Sequence, residues 1–154
     1  MDTRNTILYV DDNPKSSRLL SSVLEECDFC VITRNDPAEA LALCRRTGFD
    51  LALIDYEMPT MSGSRLAREL KYLMPDLPIV LISARVSLPP EELEFVDAHF
   101  GFGTSLDDLL WTLRILTTPR VVVAEPHIPH AVPQEPGLRH GISQEPRLRW
   151  CDST

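Results

Sequence analysis

The sequence predicts an α/β fold in which an open, doubly wound sheet of five parallel strands is covered by helices on both faces. Over the first 119 residues, short apolar runs alternate with longer segments of helical periodicity. The apolar runs are nearly continuous, which is typical of parallel strands buried on both faces. The number of repeats favours an open sheet, because a closed barrel of this kind needs eight strand–helix units.

The predicted strands are short and rich in β-branched residues. The last of them is the weakest. The five predicted strands cover residues 7–10, 30–33, 51–55, 79–83 and 98–102.

The predicted helices begin at recognisable start signals. Asn13 is suited to cap the first helix, and Pro14 is suited to its first turn. A short helix is expected to begin at Pro89–Pro90, and Pro119 ends the last one. One face of the first helix is expected to carry Leu19, Leu20, Val23 and Leu24. The other predicted helices cover residues 36–48, 64–73 and 105–117.

Composition predicts one folded domain followed by a tail. Residues 1–119 carry the strand–helix pattern, whereas residues 120–154 are proline-rich, show no helical period and are expected to be disordered. The net charge of -8 argues against nucleic acid or anionic lipid as the main partner. No apolar run approaches the roughly 20 residues of a membrane span, and no signal peptide is evident at the N-terminus. A cytoplasmic protein is expected.

Acidic and hydroxyl side chains stand where several strands are predicted to end. Asp11 and Asp12 follow the first strand, Asp55 ends the third and Ser83 ends the fourth. Open parallel sheets bind ligands at this edge, so the three carboxylates should converge there. Such a cluster needs a compensating cation, for which Mg²⁺ is suited. A carboxylate can also act as a nucleophile, which suggests phosphoryl transfer to Asp55. The alternative is that each acid is simply a strand-end or capping residue.

Three stretches resemble the signature sequences of bacterial response-regulator receiver domains. They are YVDDNP at residues 9–14, LALIDYEMPTMSG at 51–63 and IVLISA at 79–84. The resemblance covers roughly residues 5–117. It implies a (βα)₅ fold with the flavodoxin-like strand order 2-1-3-4-5. It also implies a signalling protein rather than an enzyme, although a receiver domain can catalyse its own phosphorylation and dephosphorylation.

The resemblance implies a role for each residue of the cluster. Asp55 would accept a phosphoryl group from a histidine kinase or a phosphotransfer protein. Asp12 would bind Mg²⁺ directly, Asp11 mainly through water, and Glu57 through its backbone carbonyl. Ser83 would donate a hydrogen bond to a phosphoryl oxygen and, by moving toward it, act as part of the switch.

The family's switch aromatic and contact face also have counterparts here. His99 corresponds to the switch aromatic, and its alternative role is that of an exposed polar residue on an edge strand. Residues 88–117 correspond to the face that contacts a downstream protein, and homodimer formation is left open. A DNA-binding module is not recognisable in the sequence, so signalling through protein contacts is expected.

The sequence departs from the family at the lysine that normally follows the fifth strand. Phe102 occupies that position, and Lys15 and Lys71 are the only lysines in the chain. A phenylalanine cannot supply the lysine's charge or its hydrogen bonds. Lys15 and Arg85 are candidates for a substitute cation, because both follow strand ends.

Three hypotheses about function remain open. The first is a single-domain response regulator that accepts phosphate on Asp55. The second is a pseudo-receiver that acts as an interaction module without phosphorylation, and Phe102 motivates it. The third is a phosphatase with an aspartyl nucleophile and Glu57 as its second carboxylate. It is disfavoured, because neither a catalytic lysine nor a cap domain is evident.

Overall fold

A computed structural model describes residues 3–119. Its five strands form one parallel sheet in the order β2-β1-β3-β4-β5, which confirms the predicted fold class. The fourth and fifth strands are shorter than predicted, so Ser83 and Phe102 both lie just beyond a strand. The strands are β1 (Thr6–Val10), β2 (Cys30–Arg34), β3 (Leu51–Asp55), β4 (Ile79–Ile82) and β5 (Ala98–Phe100).

Each α-helix among the described residues begins at a polar side chain that accepts hydrogen bonds from the free N–H groups of the first turn. The capping residues are Asn13, Asp36, Ser62 and Ser105. The helices are α1 (Pro14–Glu26), α2 (Pro37–Cys44), α3 (Gly63–Leu73) and α4 (Leu106–Thr117).

The short helix predicted after β4 is not an α-helix. Residues Pro90–Leu93 form a single turn of 3₁₀ helix. Pro89 precedes this turn and offers no side chain to cap it, and the chain must reach β5 at Ala98 soon afterwards. The predicted short helix is therefore present only as a 3₁₀ turn, and the residues that the structure describes form four α-helices. The predicted contact face, residues 88–117, consists of the 3₁₀ turn, β5 and α4.

Alternate residues of each strand point to opposite faces of the sheet and build two hydrophobic cores. The first core lies between one face and helices α2 and α3, and includes Leu8, Ile54 and Leu66. The second lies between the other face and helices α1 and α4, and includes Tyr9 and Leu113. Burial of both faces of the central strands β1, β3 and β4 explains why these strands lack an apolar–polar alternation.

Some details of the predicted helices differ from the structure. Leu19 was expected on the apolar face of α1, but it is 73% exposed. Helix α2 ends at Cys44 rather than near Gly48. No helix among residues 3–119 has the length and apolar character needed to cross a membrane. The predicted disordered tail, residues 120–154, lies outside the described residues.

Candidate functional site

Three carboxylates meet at the carboxyl edge of the sheet. One carboxylate oxygen from each of Asp11, Asp12 and Asp55 lies within 4.8 Å of the other two. Asp11 is buried, Asp55 is half-buried and Asp12 is exposed. The site therefore has a fixed floor and a solvent-facing side. Oxygen donors of this kind are the ligands that hard cations such as Mg²⁺ prefer.

Neighbouring groups hold the Asp11 carboxylate in one orientation. The Tyr9 hydroxyl donates a hydrogen bond to Oδ2 at 2.8 Å, and the Asn13 backbone N–H donates to Oδ1 at 2.8 Å. The Asn35 side-chain amide donates to the Asp11 carbonyl at 2.6 Å. Burial, the hydrogen bond to Asp11 and the nearby negative charges raise the pKa of Tyr9 far above its usual value. Tyr9 therefore remains a neutral hydrogen-bond donor.

Asp55 is the carboxylate whose ionisation the site perturbs. Burial is the largest cause, followed by the negative charges of Asp11, Glu57 and Asp12, and together they raise the pKa of Asp55 to about 7. A hydrogen bond from the Glu57 backbone acts in the opposite direction. A cation at the cluster would favour the ionised form of Asp55 and reverse this shift.

Ser83 and the two residues after it lie beside the Glu57 side chain. The Ser83 hydroxyl donates to Glu57 Oε1 at 3.3 Å, and the Ala84 backbone N–H donates to Oε2 at 3.2 Å. Arg85 Nε lies 3.5 Å from Glu57 Oε1. Ser83, expected to contact a phosphoryl oxygen, thus contacts a carboxylate of the same chain in this structure.

Phe102, which was expected to stand at the family's lysine position, has an exposed side chain. Phe102 is 76% exposed, and its backbone N–H donates to the Arg85 carbonyl at 3.0 Å. Lys71 pairs with Asp97 at 3.0 Å and donates to the Leu77 carbonyl. Leu77 precedes β4 and Asp97 precedes β5, so this pair lies at the amino ends of the strands, opposite the carboxylate cluster. Lys71 is therefore not the substitute cation.

Of the two candidate substitutes, Arg85 is the one held beside the site. Its guanidinium lies 5.6 Å from the centroid of the Tyr56 ring and close to Glu57. Lys15 is exposed, and its backbone N–H donates to the Asn13 side chain.

His99 lies in the middle of β5 and is half-buried. Its Nε2 atom is buried without a hydrogen-bond partner. Burial lowers the pKa of His99, and the negative charge of Glu57 partly opposes that change. The alternative of an exposed polar residue was therefore wrong, because the His99 side chain is half-buried.

A cavity of about 460 Å³ opens beside the carboxylates. Asp11, Asp55 and Ser83 line it, together with apolar side chains of α1 and α4 and with Tyr9, Ser16 and Ile82. Two of its lining residues, Leu19 and Leu106, are exposed to solvent. A reacting group can therefore approach Asp55 from solvent.

Sequence reasoning missed two features of the site. Glu57 was assigned a backbone-carbonyl role and, in the disfavoured phosphatase hypothesis, that of a second carboxylate, but contacts of its side chain with Ser83 and Ala84 were not predicted. Asn35, which follows β2, was not singled out, although it fixes the Asp11 backbone. Its place after a strand end was the available signal, since that edge gathers polar side chains.

Comparison with known proteins agrees with this geometry. The family model of the response regulator receiver domain matches residues 7–98. The two-component response regulator ARR10 of Arabidopsis thaliana is 40% identical over 80 residues, which are 51% of this chain and 14% of that protein. The chain thus spans a small part of the length of that relative.

Two solved structures share the fold. The response regulator TrrA of Thermotoga maritima, in complex with Mg²⁺ and BeF, is 28% identical with a TM-score of 0.68, and the match covers 73% of this chain and 98% of TrrA. TrrA in complex with the histidine kinase ThkA gives a TM-score of 0.69 at 28% identity, covering 74% of this chain and 99% of that one. Sheet order, acidic cluster and family match together lead to one conclusion: the chain belongs to the response regulator receiver domain family.

Proposed function

We propose that this protein is a single-domain response regulator that accepts a phosphoryl group on Asp55 from a histidine kinase and signals through protein contacts. The observation that carries the proposal is the convergence of Asp11, Asp12 and Asp55 within 4.8 Å, beside a cavity open to solvent. Like charges this close repel one another unless a cation compensates them, which supports a metal-dependent role over that of simple strand-end or capping residues.

The donor set fits Mg²⁺. Asp12 and Asp55 would bind the ion directly, Asp11 mainly through water, and Glu57 through its backbone carbonyl. Carboxylates, a carbonyl and water are the oxygen ligands that this cation prefers. When bound, Mg²⁺ neutralises charge on the cluster and on a transferring phosphoryl group.

The chain's own residues provide the nucleophile and its surroundings. An Asp55 carboxylate oxygen forms a bond to phosphorus while the phosphorus–nitrogen bond of a phosphohistidine donor breaks. The electron pair of that bond goes to the histidine nitrogen, which takes up a proton from water. Asp55 must be ionised to attack, so its raised pKa makes the neighbouring cation part of the activation. Later attack by water returns the carboxylate and releases inorganic phosphate.

The output is proposed to be a protein contact made by residues 88–117. Trp111 and Ile115 are exposed large apolar side chains on α4 within that range. Exposed aromatic residues are enriched at protein interfaces. The partner is either a downstream protein or a second copy of the chain. The molar mass of the purified chain in solution, measured with and without phosphorylation, shows whether it is a second copy.

Intact mass after incubation with Mg²⁺ and a small phosphodonor tests the phosphoacceptor. We expect one phosphate adduct on the wild-type chain and none on Asp55→Asn. An adduct that survives in Asp55→Asn would place phosphorylation elsewhere. No adduct, under conditions that label an ordinary receiver domain, would favour the second candidate.

The second candidate is a pseudo-receiver that acts as an interaction module without phosphorylation. The exposed, apolar side chain of Phe102 supports it, because a charged group is expected at that position. This candidate predicts that a partner binds equally to the wild-type chain and to Asp55→Asn, with or without a phosphodonor.

A further inference from the structure

The Glu57 carboxylate is bound by three consecutive residues. The Ser83 hydroxyl, the Ala84 backbone N–H and the Arg85 guanidinium lie 3.3, 3.2 and 3.5 Å from its oxygens. Two neutral donors and one cation therefore converge on one anion. Such an arrangement is a ready-made oxyanion site, and in this structure a side chain of the same chain fills it.

This oxyanion site lies alongside the proposed phosphoacceptor. Asp55 is the register partner of Ile82 in the parallel pair β3–β4, and the Tyr56 N–H donates to the Ile82 carbonyl at 2.8 Å. The segments that follow, 55–57 and 83–85, therefore run side by side from the sheet edge. Asp55 and Ser83 also line the same cavity, so the second segment begins beside the proposed phosphoacceptor.

The backbone of Arg85 is fixed on both sides. Its N–H donates to Ser83 Oγ at 2.9 Å, and its carbonyl accepts from the Phe102 N–H at 3.0 Å. A Cβ on Gly101 would come within 2.4 Å of that carbonyl, so the two loops are in close contact. Arg85 is thus anchored next to the residue that stands in place of the family lysine.

The contact between Glu57 and Arg85 is easily broken. The two side chains are 38% and 63% exposed, and exposed ion pairs contribute little because water and salt screen them. A guanidinium forms stronger, bidentate hydrogen bonds with a phosphoryl group, which carries more charge than a carboxylate. Exchange of the carboxylate for a phosphoryl-class oxyanion is therefore favourable for Arg85.

We propose that Glu57 fills the Ser83–Ala84–Arg85 oxyanion site until a phosphoryl-class oxyanion on Asp55 displaces it and takes Arg85 as its cation. Arg85 then binds the oxyanion in the role that Phe102 cannot perform, and Glu57 is an internal competitor. This inference rests on the proposed function, since it assigns the groups that hold the oxyanion on Asp55.

The test is a double-mutant cycle on the full chain, with beryllofluoride and Mg²⁺ as the probe and binding measured by calorimetry. Glu57→Ala should raise the affinity about threefold or more, because the competitor is gone. Arg85→Gln in the Glu57→Ala background should lower it about tenfold. The same Arg85→Gln change in the wild-type background should cost less, because it also weakens the competing contact.

Two other patterns would overturn the inference. If Arg85→Gln has no effect once Glu57 is alanine, Arg85 serves only to hold Glu57. If Arg85→Gln costs the same in both backgrounds, the two residues act as independent charges and Glu57 does not compete. Arg85→Lys should retain part of the affinity, since it keeps the charge but loses the bidentate geometry.

A remote ion pair provides the matched control. Arg68 and Glu69 lie 3.7 Å apart and are similarly exposed on α3. Arg68→Gln removes the same charge and should leave beryllofluoride affinity unchanged. If the wild-type chain binds beryllofluoride but the affinities of the variants do not follow the predicted order, this inference is wrong and the proposed function is unaffected. Absence of binding in every variant counts against both.

Discussion

Gly63 lies against the backbone of Asp55 so closely that no side chain fits between them. A Cβ built on Gly63 would come within 2.5 Å of the Asp55 carbonyl oxygen and 2.7 Å of Leu81 Cδ1. The Gly63 N–H also donates to the Tyr56 carbonyl at 3.0 Å. The start of α3 is thereby held against the segment that carries the proposed phosphoacceptor.

Gly63→Ala should therefore be strongly destabilising. The nearest obstacle is backbone, which cannot move aside as a flexible side chain can, so a loss of about 2 kcal/mol or more is expected. Gly48→Ala is the matched control, because no atom lies within 4 Å of its added Cβ and its φ is not in the left-handed region. That change should be neutral or stabilise slightly. Urea denaturation of both variants measures the difference, and equal stabilities would contradict the packing described.

Asp55→Asn should make the folded protein more stable at pH 8. The pKa of Asp55 is raised to about 7 in the folded state, above its value of about 4 in an unfolded chain. The folded state therefore favours the protonated form, and stability falls as pH rises from about 4 to about 7. Removing the charge should recover on the order of 1 kcal/mol at pH 8, after allowance for solvent screening, and little at pH 4.

Thermal unfolding at the two pH values measures the Asp55 effect. Mg²⁺ should raise the Tm of the wild-type chain at pH 8 and raise that of Asp55→Asn less, because a ligand that binds the folded state stabilises it. An Asp55→Asn variant that is less stable than wild type at pH 8 would show that Asp55 makes favourable contacts outweighing the repulsion.

The sequence predicts the fold well because its strongest signals are local. Apolar strands, capped helices and strand-end acids each have a signature within a few residues, and the sheet order and the meeting of the acids follow from the family resemblance and parallel topology. The short helix predicted after β4 forms only one 3₁₀ turn: its two prolines suit a helix start, but no side chain caps it. The prediction that Leu19 lies on the apolar face of α1 was wrong, because periodicity assigns a residue to a helix face but does not show how much of that face is covered.

The contacts made by Glu57 could not be predicted in the same way. They join residues 26 and 27 positions apart, and they depend on how two loops run after their strands end. The spacing of residues in the sequence does not predict which side chain occupies an oxyanion site formed by loops. For the same reason, Arg85 and Lys15 were equivalent candidates in the sequence but not in the fold.

His99→Phe should stabilise the protein, and more at pH 5 than at pH 8. The buried Nε2 lacks a partner, so an apolar ring should gain about 1 kcal/mol. Burial lowers the pKa of His99. The unfolded chain therefore binds more protons below about pH 6.5, and stability is lost as pH falls. The other three histidines lie beyond residue 120. Chemical denaturation at both pH values measures the change, and a pH-independent gain would exclude titration of His99 as the cause.

Phe102→Lys should tighten the Mg²⁺-dependent binding of beryllofluoride about tenfold, because an ammonium adds charge and hydrogen bonds to a phosphoryl-class oxyanion. The substitution should leave stability nearly unchanged, since the Phe102 side chain is 76% exposed. Val86→Lys is the control. Val86 is 77% exposed, and this substitution adds the same charge next to Arg85. If Arg85 already serves as the cation, the gain should be larger in an Arg85→Gln background. Calorimetry on the four variants measures these affinities. An equal gain in beryllofluoride affinity from Val86→Lys would show that the added net charge, and not the position of the lysine, is the cause.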